Sequence, residues 1–280
     1  MSRRIWSSGR ASVPSGRPPF CAPAVRRVRQ TFPTACSHTK WHPMPLAGST
    51  QRLPHGLTCL PFFEPTHADM TTPRAPQKGE FYTLRPDLRG GGPGHGVVFE
   101  NEKALRPPGR GMIRPPHGGF PPLREIPKLR YDSREGLMPS DMESGFSGYW
   151  LVSAALKEVF ESVDAGGFAF QPCEFTLEDG SQGPDYFLCD VVRTLDALDE
   201  AASTLKILTE GYPAGKYYSL AGGARLAFIK EVVGSAHIFR TPYNSQLVIC
   251  DRMLRDALIA GGFGKPPNSR GVWLEDAADY

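Results

Sequence analysis

Proline is distributed so unevenly along this chain that it decides where a continuous hydrophobic core can form. Residues 1–69 contain 10 prolines and residues 70–149 contain 12, whereas residues 150–280 contain only 6. The middle stretch adds 13 glycines, a density typical of linkers or low-complexity sequence. Proline interrupts the hydrogen bonding of helices and of sheets. We therefore expect a continuous core from about Tyr149 onward, supported by short strand-like pieces before it.

Charge follows the same division of the chain. Residues 1–69 carry nine Lys and Arg against two Asp and Glu, and residues 70–149 carry twelve against nine. Residues 150–280 carry eleven against eighteen, so the overall net charge of +3 hides an acidic C-terminal part. An acidic surface disfavours the phosphate backbone of nucleic acids but suits a basic protein partner. We predict no nucleic-acid partner.

The first 69 residues are predicted to be a disordered, Arg- and Pro-rich extension. Met70 opens a stretch that leads directly into the strand-like Phe81–Leu84, so a misassigned start codon, with the true start near residue 70, is one interpretation. A disordered functional tail and an organelle targeting peptide are the alternatives. Pro18 and Pro19 oppose the amphipathic helix that a targeting peptide needs. No apolar run approaches the roughly 18–20 residues that span a bilayer, and we predict a cytoplasmic protein without a membrane segment.

The pattern after residue 69 predicts an α+β fold, with a mainly antiparallel or mixed sheet and a few short helices. Apolar residues at helical spacing predict one helix from the N-cap Ser153 to Gly166 and Gly167, and a shorter one after Asp251. The division predicted is an extension (1–69), a strand with an irregular Pro/Gly-rich region (70–148) and an α+β core (149–280). Strands are predicted at 81–84, 97–99, 168–177, 186–192, 204–210, 224–233 and 237–244.

Within this pattern, segment 186–192 is apolar on both faces, which predicts a central strand. Pro172 predicts an edge or a bulge for 168–177. The irregular segment 105–127 is predicted to be a loop across the surface.

Residue types that carry chemistry form no catalytic or metal-binding pattern. Cys173, Cys189 and Cys250 form no Cys-x-x-Cys pair and are predicted to be small buried hydrophobes. His237 begins an apolar strand and is predicted to be a packed or surface imidazole. Asp190 lies within the doubly apolar strand, where a carboxylate needs partners, so it is predicted to be a structural anchor. We predict no catalytic residue, no bound metal and no cofactor.

Three segments of the chain are GLMPSDMESGFSGYWLVSAALKEVFESVDAGGFAFQPCEF, DYFLCDVVRTLDALD and HIFRTPYNSQLVICDRMLRDALIAGGFG. In order and spacing they resemble a bacterial family of immunity proteins from polymorphic toxin systems, the eleventh immunity family and a former domain of unknown function. The resemblance covers roughly Phe81 to Trp273 and includes a lead of Leu137, Pro139 and Asp141. It implies a cytoplasmic protein that binds and blocks a cognate toxin without chemistry of its own. The long insert between Phe99 and Leu123 departs from the family pattern.

The acidic segment Asp196–Glu210 and nearby tyrosines are predicted to form part of the toxin-binding surface, because aromatic anchors ringed by charge are typical of binding hot spots. The alternative is that the tyrosines only pack a strand edge. Two other functions remain: a hydrolase or transferase whose pocket holds Asp190, His237 or Cys189, and an intracellular adaptor. The predicted partner-binding residues are Asp196, Asp199, Glu200, Tyr212, Tyr217 and Tyr218.

Overall fold

The computed structural model of this chain describes residues 75–89, 94–107 and 109–280, and the predicted extension 1–69 lies outside them. The helices are α1 (Ala154–Asp164), α2 (Lys230–Val233) and α3 (Arg252–Ala260), with 3-10 turns at Ala165–Gly167 and Ala277–Asp279. The strands are β1 (Phe81–Pro86), β2 (Val97–Phe99), β3 (Lys128–Tyr131), β4 (Met142–Phe146), β5 (Tyr149–Ser153), β6 (Phe168–Pro172), β7 (Glu174–Thr176), β8 (Tyr186–Val191), β9 (Lys206–Leu208), β10 (Tyr217–Ser219), β11 (Ile238–Thr241), β12 (Asn244–Asp251) and β13 (Val272–Asp276).

Two four-stranded antiparallel sheets organise these elements into an α+β fold. The first sheet has the order β11-β12-β1-β13, and the second has the order β4-β5-β8-β6. A smaller mixed sheet, β2-β3-β7, contains the parallel pair of β3 and β7, and β9 pairs with β10 as a two-stranded ribbon. The α+β class is therefore confirmed. The longest helix among the described residues has 11 residues, so none is long and apolar enough to cross a membrane.

Alternation along the strands divides the core into three clusters. Inward side chains of both large sheets pack with α1 and α3 in the first cluster, to which β8 contributes Cys189 and Val191. The opposite face of β8 sends Tyr186 and Leu188 into the third cluster, under the small mixed sheet. The outer face of the first sheet forms the second cluster with residues 195–236. The prediction of a central β8, apolar on both faces, is confirmed.

The two longer helices begin at the predicted caps. The Ser153 hydroxyl accepts a hydrogen bond from the Leu156 amide at 3.3 Å, and Asp251 Oδ1 accepts one from the Leu254 amide at 3.0 Å. These bonds satisfy amides that the first helical turn leaves without partners. Capping therefore fixes where each helix leaves its strand, β5 for α1 and β12 for α3.

Several predicted elements differ from the structure. Segment 237–244 is not one strand: β11 ends at Thr241, and a turn leads into β12 at Asn244. Segment 168–177 is two strands that pair in different sheets, and Pro172 ends β6 at the sheet edge as expected. Segment 224–233 is wrong as a strand: Arg225 and Phe228 make only isolated bridges, and the segment ends in the one-turn helix α2. Its neighbours are extended loops that approach it at single residues, so no ladder forms.

The irregular segment 105–127 is also not simply a surface loop. Leu105 and Met112 are buried in the third cluster, and the ring of Phe120 stacks on Tyr149 with centroids 4.5 Å apart. Gly118, at φ +79°, passes so close to Val192 that a Cβ atom there would lie 2.8 Å from the Val192 Cα. The glycine therefore permits an approach that any side chain would prevent.

That approach lets the segment bind the fully buried carboxylate of Asp190. The Asp190 oxygens accept hydrogen bonds from Arg114 Nε at 2.9 Å, the Gly119 amide at 2.7 Å and Arg240 Nη2 at 3.2 Å. Arg240 lies on β11 and also donates to the Val191 carbonyl. Asp190 thus joins the second sheet, the irregular segment and the first sheet, which supports the structural role predicted for it.

We predict that Asp190→Asn destabilises the fold by about 3–5 kcal/mol, because it leaves two arginines at a buried site without their counter-charge. Urea unfolding followed by circular dichroism measures the change. The matched control is Asp256→Asn, which removes the partner of Arg255 from the surface, where an ion pair contributes about 0.5 kcal/mol or less. A loss at Asp190 no greater than the control's would contradict the anchoring role.

Candidate partner-binding surface

The predicted tyrosines lie on or next to the β9–β10 ribbon, which packs against the second core cluster. Tyr217 pairs with Leu208 and Tyr218 with Ile207 in antiparallel register. Successive residues of a strand point to opposite faces. Tyr218 is fully buried in the second cluster, whereas Tyr217 is half-buried. Of the two neighbouring tyrosines, only Tyr217 is therefore placed to contact a partner.

Tyr217 stacks on Tyr212, which reaches back from the loop between the two strands. Their ring centroids are 5.0 Å apart and their planes differ by 12°. Both rings are half-buried, so each keeps an exposed portion. A stacked pair is already ordered and loses little conformational freedom when a partner covers it.

Glu200 forms the centre of an ionic cluster beside the ribbon. Its carboxylate accepts a hydrogen bond from Tyr218 Oη at 2.6 Å and forms an ion pair with Lys216. The bonds from Lys216 and Tyr218 lower the pKa of Glu200 below its ordinary value. Burial and the bond to Glu200 raise the pKa of Tyr218. Lys216 Nζ also lies 4.0 Å from the ring centroid of Tyr243, so the cluster links the ribbon to the turn between β11 and β12.

The other two predicted acids have different roles. Asp199 Oδ1 accepts hydrogen bonds from the amides of Ala201 and Ala202 at 3.1 Å and so shapes a turn. Asp196 is exposed and accepts one bond, at 3.2 Å, from Tyr243 Oη. Asp196 is thus the acid best placed to meet a partner, whereas Asp199 and Glu200 hold the surface in shape.

Sequence reasoning missed two members of this surface, Lys216 and Tyr243. Tyr243 packs edge-on against Tyr218, with ring centroids 5.2 Å apart, and reaches the cluster from the turn between β11 and β12. That contact joins residues far apart in the chain, so no pattern of neighbouring residues in the sequence predicts it. Lys216 precedes the two tyrosines directly, and its charge next to an acidic segment was a usable signal.

The residues that would serve a hydrolase are placed differently. Cys189 and Cys250 are buried as predicted, and burial raises the pKa of both thiols. Cys173 is partly buried, and burial raises its pKa to about 12. The thiolate is the reactive form of cysteine, so these three thiols are held in their inert form at neutral pH.

His237 forms a pair with Asp251 at the edge of a cavity of about 470 Å³. Its Nδ1 lies 2.8 Å from Asp251 Oδ2, while the other Asp251 oxygen caps α3. Among the described residues that line this cavity there is no Ser, Thr or Cys, so the pair has no hydroxyl or thiol there to activate. Within the described ranges, no group of three metal-ligating side chains occurs.

We predict that Cys173, Cys189 and Cys250 resist alkylation in the folded chain. Native protein would be treated with iodoacetamide at pH 7.5 and mapped by peptide mass spectrometry, with urea-unfolded protein as the control. All three cysteines are expected to react at least about tenfold faster once unfolded, when their thiols regain an ordinary pKa and access. Rapid labelling of Cys189 in the native chain would revive the hydrolase alternative.

We also predict that the free energy of unfolding of Glu200→Gln falls less between pH 7 and pH 3 than that of the wild type. Because the pKa of Glu200 is lower in the folded chain than its ordinary value of 4.5, the ionised carboxylate stabilises the fold above that pH. This contribution disappears as the pH falls through the folded-state pKa. The difference in unfolding free energy between the wild type and Glu200→Gln should therefore shrink between pH 7 and pH 3. A constant difference would show that the ionic cluster adds nothing to folding.

A family model described as Immunity protein family (Imm11) matches residues 80–279. This range includes both large sheets, the ribbon and the ionic cluster. No curated protein matches the chain.

Proposed function

The chain belongs to the Imm11 immunity protein family, and from that premise we propose that it binds a cognate protein toxin and neutralises it by covering the toxin's active surface. The toxin would belong to a bacterial polymorphic toxin system, and the two proteins would meet in the cytoplasm. The family match is the observation that carries this proposal. It extends across nearly all of the described residues, so it concerns the whole fold rather than one motif.

The surface proposed to contact the toxin consists of Asp196, Tyr212 and Tyr217, held in place by Glu200 and the buried Tyr218. Stacked aromatic rings next to an exposed acid combine an apolar contact area with charge, as binding hot spots commonly do. The negative charge of the segment Asp196–Glu210 suits a basic patch, such as the one a nuclease presents to nucleic acid. Occlusion of this kind requires no reaction by the immunity protein itself.

The proposal of a non-enzymatic role rests on the candidate groups already described. Asp190 is fully buried between two arginines, and the thiol of Cys189 is held in its inert form. The Nδ1 atom of His237 contacts Asp251, the residue that caps α3. Each group that could serve a hydrolase or transferase therefore has a structural use. An adaptor unconnected to toxins stays the second alternative, and the genomic neighbourhood distinguishes it.

The experiment that tests the proposal is co-expression in a bacterial host. Each large open reading frame beside this gene would be expressed from an inducible promoter, alone and together with the full-length chain. We expect one product that stops growth alone and is harmless with the chain, and that elutes with it as a stoichiometric complex. Growth arrest that the chain never relieves, for every neighbouring product, would contradict the immunity function.

With the toxin identified, the variant Asp196→Lys/Glu210→Lys tests the surface. Both residues are exposed, and replacing them removes the bond from Tyr243 to Asp196 but neither the turn at Asp199 nor the contacts of Glu200 with Lys216 and Tyr218. We expect association to slow by roughly tenfold at low salt, and the difference to shrink as salt screens the charges. Surface plasmon resonance measures both effects.

The matched control for this variant is Glu158→Lys/Glu125→Lys, which reverses two exposed acids elsewhere on the chain. One lies on α1 and the other in the irregular segment, so both belong to elements outside the ribbon. Equal association rates for the two double variants would remove the acidic segment from the binding surface.

A further inference from the structure

A cleft of about 520 Å³ lies next to the tyrosine pair, where the end of β1, the start of β12 and the β4–β5 turn converge. We call it the Thr83 cleft; its polar lining includes Thr83, Arg85, Tyr149, Tyr217, Arg240 and Gln246. Tyr217 therefore belongs both to the proposed toxin-binding surface and to the wall of this cleft.

Two polar groups of residues that line the cleft have no hydrogen-bond partner among the described residues. The first is the hydroxyl of Thr83, a residue that is only 2% exposed. The second is the Nε–H of Arg85. The Nε atom is shielded from solvent, although the Arg85 side chain as a whole is 40% exposed. A buried polar atom without a partner costs free energy, so most such atoms in folded proteins are paired. Both groups can donate a hydrogen bond to the same kind of ligand.

The geometry of β1 places these two donors together. Thr83 and Arg85 are two residues apart on one strand, so their side chains share a face and start about 7 Å apart. The terminal nitrogen of Arg85 lies 3.4 Å from Glu275 Oε2, which also accepts from Trp273 Nε1 at 3.3 Å. The Glu275 contact leaves the Nε–H of Arg85 unused.

Charge in the cleft selects the ligand. Its lining includes Arg85 and Arg240 and neither Asp nor Glu. Arg240 and Arg114 share the single carboxylate of Asp190, which leaves one positive charge in excess behind the cleft. Tyr280 also lines the cleft, and its main-chain oxygen already accepts a bond from the Ala224 amide at 2.8 Å. Because Arg85 is paired with Glu275, the excess positive charge comes from Arg240 and Arg114. An arginine-lined site whose remaining donors have no partner matches a carboxylate.

We propose that the Thr83 cleft binds the carboxylate of an Asp or Glu side chain of the toxin, with the Thr83 hydroxyl and the Arg85 Nε–H donating to its oxygens. This inference rests on the proposed function for the identity of the occupant. A protein occupant is favoured because the rim carries Tyr217 and the exposed Leu88, which is 67% accessible. The cleft thus continues the proposed binding surface and adds to it a site of opposite charge.

The first test is an NMR titration of the full-length, ¹⁵N-labelled chain, observed at the arginine Nε–H resonances. The probe is the peptide acetyl-Gly-Glu-Gly-amide, the control peptide carries Gln in place of Glu, and Arg85→Gln assigns the signal. We expect a saturable shift of the Arg85 resonance with the Glu peptide only. Equal shifts with both peptides, equal shifts at all arginines, or none would overturn the proposal. So would tighter binding of free propionate than of the peptide, since that indicates a small-molecule site.

The second test separates binding from folding by substituting Thr83. Thr83→Val removes an unpaired hydroxyl at nearly constant shape, so the melting temperature should stay equal or rise. Peptide binding should weaken at least about tenfold, because a hydrogen bond to a charged group is worth that factor or more. Thr83→Ser keeps the hydroxyl and should retain binding. Unchanged affinity in Thr83→Val, or equal loss in both variants, contradicts the proposed donor role.

The same variants distinguish failure of this inference from failure of the proposed function. If the wild type neutralises the toxin and Thr83→Val and Arg85→Gln neutralise it equally well, the immunity function stands and the cleft has no part in it. If the wild type neutralises no neighbouring product, the function fails, and the peptide titration still decides whether the cleft binds carboxylates. A variant that loses neutralisation at least about tenfold while keeping its melting temperature supports both.

Discussion

The carboxylate of Asp190 joins three parts of the molecule that lie far apart in the chain. It sits on the central strand β8 and accepts hydrogen bonds from Arg240 on β11 and from Arg114 and Gly119 in the irregular segment. Removing these charges from water is costly, and their attraction offsets that cost only when the remaining hydrogen bonds are made. Arg240 meets this condition by also donating to the Val191 and Ser245 carbonyls. The first sheet, the second sheet and the segment between them therefore depend on one another.

The interaction of Asp190 with its two arginines also sets the charge of the cavities that Arg240 lines. One carboxylate balances two arginines, and Arg240 lines both the Thr83 cleft and a second cavity of about 710 Å³ on its other side. Next to this positive region, across Tyr217, lies the acidic segment with Asp196 exposed. Two neighbouring regions of opposite sign would suit a partner with the reverse arrangement. Such a pattern rejects wrong partners by like-charge contact as well as attracting the right one, which an immunity protein needs if it is to tell one toxin from another.

The sequence indicated features that depend on neighbours in the chain and missed those that depend on distant ones. A carboxylate within a doubly apolar strand could be recognised as an anchor, and Ser153 and Asp251 as caps, because the relevant residues are adjacent. The partners Arg114 and Arg240 lie 76 and 50 residues away from Asp190, and no pattern selects them. For Tyr217 and Tyr218, strand alternation requires opposite faces, but which face is buried depends on Tyr243 and the second cluster. Segment 224–233 alternates like a strand, yet a strand also needs a neighbouring strand of matching length. Whether such a neighbour exists depends on the assembled fold and cannot be read from the segment itself.

The irregular segment is fixed to the core at a few positions while residues between them stay exposed. Met112 is buried and Arg114 binds Asp190, whereas Ile113 between them is 78% exposed. The anchors come from backbone geometry and two side chains, so the residues between them are free to differ in chemistry. Loops held on a rigid scaffold commonly carry binding function for this reason. The segment is therefore tied into the core at both Asp190 and Tyr149 while it projects Ile113 beside the arginine-lined cavity. In such an arrangement, changes at the projecting positions would alter the chemistry of the exposed surface and leave the buried charge cluster untouched.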